Sequence, residues 1–154
     1  MYHTLRIRAL KDCIRYHSFI KKLLEYLVKI EGSMHIITEK ERIGKINPVD
    51  ILYTKSLIKD LLVFIVDTAY KVLPLKDAEE LKKKVDSFIE EKEKETRYDV
   101  SNIYSYYSEV VKPIENAFIQ GMEGFQGNVI LGVVSSFSKL FIKITPKEER
   151  KKVF

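Results

Sequence analysis

Apolar side chains recur at steps of three and four along most of the chain, the spacing of helices with one covered face. Over residues 4–31 the stripe runs through Leu10, Cys13, Ile14, His17, Ile20, Leu24, Leu27 and Val28. That predicts a first helix of about eight turns. Gly32 is its expected stop, since glycine enters the left-handed cap conformation at no steric cost. Residues 33–46 then break the period. Met34–Ile37 and Arg42–Ile46 flank the polar run Thr38–Glu41, predicting an exposed loop or small hairpin inserted between helices.

Asn47-Pro48-Val49-Asp50 reads as a helix start: a capping side chain, a proline that fits the first helical position, and an acid in the first turn. Apolar positions continue from Ile51 to Leu73, and Pro74 ends the run. Between Leu61 and Val66 they cover the whole circumference, so this helix is expected to be the buried centre. A third helix is predicted from Asp77 to about Thr96, with Ala78, Leu81, Val85, Phe88 and Ile89 as a narrow stripe. Its other faces are Lys and Glu, where Glu79–Lys83 and Glu80–Lys84 are i, i+4 pairs worth ~0.3 kcal/mol each.

A fourth helix is expected to start at Asp99 or Ser101 and to bury Ile103, Tyr107, Val110, Val111, Ile114 and Phe118, with Pro113 forcing a kink or restart. Gly121, Gly124 and Gly127 mark a loop. The last helix carries Val129, Ile130, Val133, Val134, Phe137, Leu140, Phe141 and Ile144, followed by a short basic tail. No repeat or low-complexity linker divides residues 1–154. The pattern predicts one all-α domain, a single bundle of about five helices with the inserted segment near 33–46.

Composition agrees with a globular chain: 154 residues, 45% hydrophobic and 32% charged. A single cysteine, Cys13, excludes an intramolecular disulfide and a zinc site built on several thiolates. The surface is rich in Lys (21) and Glu (15) and holds only six Asn and Gln, a bias typical of thermophile proteins. The longest uncharged stretch, Gly124–Ser138, falls short of the ~20 residues that span a membrane, and the N-terminus has no apolar leader. A cytoplasmic protein with no membrane association is expected.

The residues that could carry chemistry read as structural. Cys13 and His17 lie four apart on one helical face, but no third ligand follows at a metal-binding spacing, and both coincide with the apolar stripe. A packed cysteine and a core histidine are expected, with no metal, no cofactor and no nucleophilic pair. The Arg–His spacings, Arg8 or Arg15 with His17, do not fit the small helical nucleases that pair these residues across four to six positions. The glycines of 121–127 follow no strand and precede no Lys-Ser or Lys-Thr, so they do not form a phosphate loop. The carboxylate pairs sit in solvated Lys/Glu runs. The chain is expected not to be an enzyme.

Charge placement says more. Residues 1–31 hold seven Lys/Arg and three Asp/Glu, +4 of the chain's +5. On the predicted first helix Arg8, Lys11, Arg15, Lys22 and Lys29 fall within a sector of about 60° along ~30 Å. Such a row suits the phosphates of a nucleic-acid strand, with sequence-independent, salt-sensitive affinity. A second cluster, Arg97-Tyr98 and Tyr104-Ser105-Tyr106-Tyr107, places Tyr104 and Tyr106 outside the expected core stripe. Exposed tyrosines beside Arg97 suit a protein contact.

Three segments resemble a known family. Pro48-Val-Asp-Ile-Leu-Tyr-Thr-Lys-Ser-Leu-Ile-Lys-Asp-Leu-Leu-Val-Phe-Ile-Val66 resembles the central helix of the small helical subunit of type III CRISPR RNA-guided effector complexes. Arg8–Ile14 looks like that family's first helix, and Val129–Phe141 with Lys139 like its last. The chain departs from the family at Tyr53-Thr54-Lys55-Ser56, where an Asn/Lys-Gly pair is usual, and in having no tryptophan. The resemblance implies a non-catalytic subunit of a multi-protein complex. Such subunits stack head to tail along a guide RNA–target duplex and contact its backbone through basic helix faces. The other reading is a helical protein–protein adaptor, archaeal or viral, using Tyr104, Tyr106 and the Gly121–Gly127 loop and touching no nucleic acid.

Overall fold

In the computed structural model, which describes residues 2–94, 100–123 and 129–143, with side chains from residue 17 except those of 117, 120–123, 129, 140, 142 and 143, the first helix does not stop at Gly32. Helix α1 (Tyr2–Arg42) is one rod of 41 residues, ~62 Å long at 1.5 Å per residue. The expected loop or hairpin near 33–46 is therefore corrected: all but its last few residues are helical. Magnitudes explain the outcome. Glycine inside a helix costs about 1 kcal/mol, whereas burying a Met34 or Ile37 side chain returns ~1.5–3 kcal/mol each. Both are buried here, extending the seam Phe19, Leu23, Leu27 and Ile30. The true stop is Gly44, at φ 71. Its N–H donates to the Glu41 carbonyl at 3.0 Å, and the Lys45 N–H donates to the Lys40 carbonyl at 2.8 Å, the paired bonds of a left-handed glycine cap.

That seam is not the stripe expected from the sequence. Leu27 belongs to both, but His17, Leu24 and Val28 are exposed, Val28 by 67%. α1 carries two apolar stripes about 100° apart, and α2 covers the one that runs through Phe19, Leu23, Ile30, Met34 and Ile37.

Helix α2 (Pro48–Val72) starts as expected, with the Asn47 side chain accepting from the Val49 N–H at 3.0 Å, a cap worth about 1 kcal/mol. It packs against α1, and Ile51, Ile58, Leu61, Leu62, Ile65 and Ala69 are wholly buried. Burial does not extend round the whole circumference, because Val63 is 45% exposed and Phe64 half-buried. Helix α3 (Leu75–Lys94) buries the five stripe residues expected of it. The Glu80–Lys84 pair forms at 3.5 Å.

Helix α4 (Val100–Tyr106), a π turn (Tyr107–Val111) and α5 (Lys112–Glu123) form one continuous rod. The disturbance expected at Pro113 is this π turn, directly before it. Proline offers no N–H to the carbonyl four residues back and its ring crowds the preceding turn, and a wide turn relieves both. The Lys112 N–H bonds the Tyr107 carbonyl, five residues back. Helix α6 (Val129–Lys143) closes the bundle with Val133, Val134, Phe137 and Phe141 buried. Phe88 of α3 meets Tyr106 and Phe141 edge-on, at 5.6 and 5.3 Å between ring centroids. The bundle has α2 at its centre, touching α1, α3, α4 and α6. It is all-α, with five rods and no strand among the described residues. No helix among the described residues is long and apolar enough to cross a membrane.

Candidate nucleic-acid interface

The basic row lies on α1 beside the seam that α2 covers. Lys22 and Lys29 are exposed, seven residues apart on one side of the helix, ~10 Å along its axis. Neither joins an ion pair among the described residues. The Lys22 ammonium sits 5.2 Å from the centre of the Phe64 ring. That ring stacks on Phe19 at 5.6 Å and lies 5.7 Å from Tyr26. The aromatic group holds the root of Lys22 while its charge stays in water. Arg8, Lys11 and Arg15 belong to the same helix by backbone, and their side chains lie outside the described residues, as does that of Cys13.

The row has acidic neighbours. Burial raises the Tyr26 phenol above its usual value, and Asp60, Asp67 and Glu25 raise it further. Negative charge from α2 therefore reaches the flank of the lysine row.

The tyrosine cluster differs from expectation. Tyr106, expected outside, is 3% exposed; Tyr107, expected in the core, is half-exposed. The π turn is the cause: its wider turn puts Tyr106 on the face of Val110 and Val111, a place an ordinary α-helical register would give to Tyr107. Tyr104 is half-buried and shares a 3.3 Å hydrogen bond with the Thr38 hydroxyl of α1. Arg97, Tyr98, most of the Gly121–Gly127 loop and the C-terminal tail lie outside the described residues.

The sequence did not reveal a polar knot joining α1 to the π turn and α5. The Tyr107 hydroxyl donates to the Glu31 carboxylate. The Lys112 ammonium lies 5.4 Å from the Tyr107 ring centre and 3.9 Å from Glu115. Tyr107's donation, then that of Glu115, holds the Glu31 carboxyl below its usual range. Burial, then the bond to Glu31 and its like charge, pushes Glu115 up to about 7. One proton is thus shared between two carboxyls, and the Tyr107 phenol is raised by burial and by its bond to Glu31. Glu31 and Tyr107 stand 76 positions apart, a pairing that no local spacing announces.

Among the described residues no group of three or more His, Cys, Asp or Glu could hold a metal ion. His17 points away from the core. Chemically, then, the described α1 face presents ammonium groups and an exposed apolar pair, Leu24 and Val28. No family model, no curated protein and no solved structure matches this chain.

Proposed function

We propose that this chain is a non-catalytic, all-α subunit that grips an RNA backbone through the basic face of α1. The fuller form of the reading, supported by the resemblance of three segments, is the small subunit of an RNA-guided interference complex, self-associating head to tail along a guide RNA–target duplex. The observation that carries the reading is the pair Lys22 and Lys29, both exposed and outside any ion pair among the described residues, on the one continuous helix α1. Arg8, Lys11 and Arg15 extend the row in sequence. Ammonium groups spaced along a rod meet successive phosphates without reading bases, which leaves sequence recognition to a guide.

The adaptor reading draws no comparable support, because one of its two contact tyrosines, Tyr106, is built into the core. The test is fluorescence anisotropy of the full chain with a labelled RNA duplex. Affinity should fall steeply between about 50 and about 200 mM salt, and Lys22→Glu with Lys29→Glu should weaken it and flatten the slope. Binding that ignores salt, or a double variant that binds as the wild type does, overturns the proposal.

A further inference from the structure

The side of α1 that α2 leaves uncovered has a period of its own. His17, Lys21, Leu24, Val28, Glu31 and His35 follow one another at steps of four and three, the seven-residue repeat of helices that pair along a seam. At 100° per residue they fall within a sector of about 80° and run ~27 Å along the axis. All six are exposed. Val28 is open over 67% of its surface and Leu24 over 42%. Apolar residues exposed singly mean little. These two stand together at the centre of a repeat, with a cation one turn before them and an anion one turn after.

The order of the charges says what covers the row. Reversing its direction about the centre exchanges Leu24 with Val28, Lys21 with Glu31, and His17 with His35. A second α1 laid antiparallel over the first therefore meets an opposite charge on each side of the apolar centre. Laid parallel and in register, it would set lysine on lysine and glutamate on glutamate, which penalises that arrangement. Both charges are available for the contact. Lys21 joins no ion pair among the described residues. Glu31 accepts from the Tyr107 hydroxyl, a bond that favours its charged form, and a carboxylate keeps further acceptor sites for an ammonium.

We propose that α1 pairs with the α1 of a second copy of this chain, antiparallel and two-fold, about a centre between Leu24 and Val28. Leu24 packs on the partner's Val28, and Lys21 meets the partner's Glu31, once on each side of the axis. Such a contact uses the same patch on both copies and closes at two, whereas a head-to-tail stack keeps adding copies. Lys22 and Lys29 lie about 120–140° round the helix from the seam. Their side stays in water, and the pairing stands whether or not it binds RNA.

The test is analytical ultracentrifugation of the full chain over a concentration series. The wild type should pass from monomer to dimer and no further. Val28→Glu and Lys21→Glu, both at exposed positions outside the core, should each raise the dissociation constant about tenfold or more, because each places like charges across the seam. Glu31→Lys should do the same. Mixing Lys21→Glu with Glu31→Lys should then restore dimers, since every charged layer again pairs glutamate with lysine. A role confined to one chain would give no such rescue. Glu31→Lys also removes the acceptor of Tyr107, so circular dichroism checks its fold. If it does not fold, Val28→Glu and Lys21→Glu decide the matter without it. A wild type that stays monomeric, or masses that climb beyond the dimer, overturns the proposal. So do dimers that Val28→Glu and Lys21→Glu leave intact, and a folded Glu31→Lys that rescues nothing.

Discussion

Replacing Gly32 with alanine should stabilise the protein. Gly32 sits inside α1 with ordinary negative φ, and a methyl group added there would meet no atom within 4 Å. The substitution removes backbone freedom from the unfolded chain and exchanges the poorest helix former but proline for the best, a gain of about 1 kcal/mol. For a domain of this size that is a rise in Tm of about 2–4 °C. Gly44→Ala should act the other way, because at φ 71 a side chain crowds the following carbonyl and the cost is about 1–2 kcal/mol. Urea midpoints and thermal melts of the two variants read both signs. If Gly32 were instead the left-handed cap that its place in the sequence suggests, Gly32→Ala would destabilise by a similar amount. A lowered midpoint for Gly32→Ala would therefore refute the continuous helix and, with it, the burial of Met34 and Ile37.

Two further outcomes follow from the packing and the polar knot. Leu61 is wholly buried at the centre of α2, and Leu61→Ala should cost about 2–5 kcal/mol in urea denaturation; a loss well under 1 kcal/mol would contradict the central placement of this helix. Glu115 titrates near 7 in the folded chain against 4.5 for the ordinary group. Between those values the folded chain holds a proton that the unfolded chain has released, so this carboxyl's contribution declines as pH rises from about 4.5 to about 7 and is constant above. Glu31, held low, works in the opposite sense: its contribution is present above 4.5 and is lost as pH falls below. Urea midpoints between about pH 5 and pH 8 should fall for the wild type and stay level for Glu115→Gln, and an identical fall in both would sink the shared-proton assignment.

Much of the fold could be read from local chemistry. The start of α2 needed only Asn47 to cap and Pro48 to pre-set φ, both properties of single residues. The α3 stripe was legible because its other faces are Lys and Glu, leaving one face that could be covered. Pro113 announced a disturbance for the same reason, since a missing N–H is a local fact. The basic row of α1 was equally plain as a list of positions.

What the pattern could not supply was choice between partners. α1 has two apolar stripes, and periodicity shows that each could be buried without showing which one is. α2 covers the stripe of Phe19, Leu23, Ile30, Met34 and Ile37, leaving Leu24 and Val28 in water. The same contact carries the helix past Gly32, because burial across a seam outweighs a propensity penalty of about 1 kcal/mol. Tyr106 and Tyr107 exchanged places for a related reason. A π turn inserts an extra residue, and every face assigned through it by a 3.6-residue period is displaced. The Glu31–Tyr107–Glu115 knot lay further out of reach, since it joins side chains from helices distant in sequence. Helix type and helix ends are set by energies within a turn or two of chain. Covered faces and shared protons are set by which helices meet.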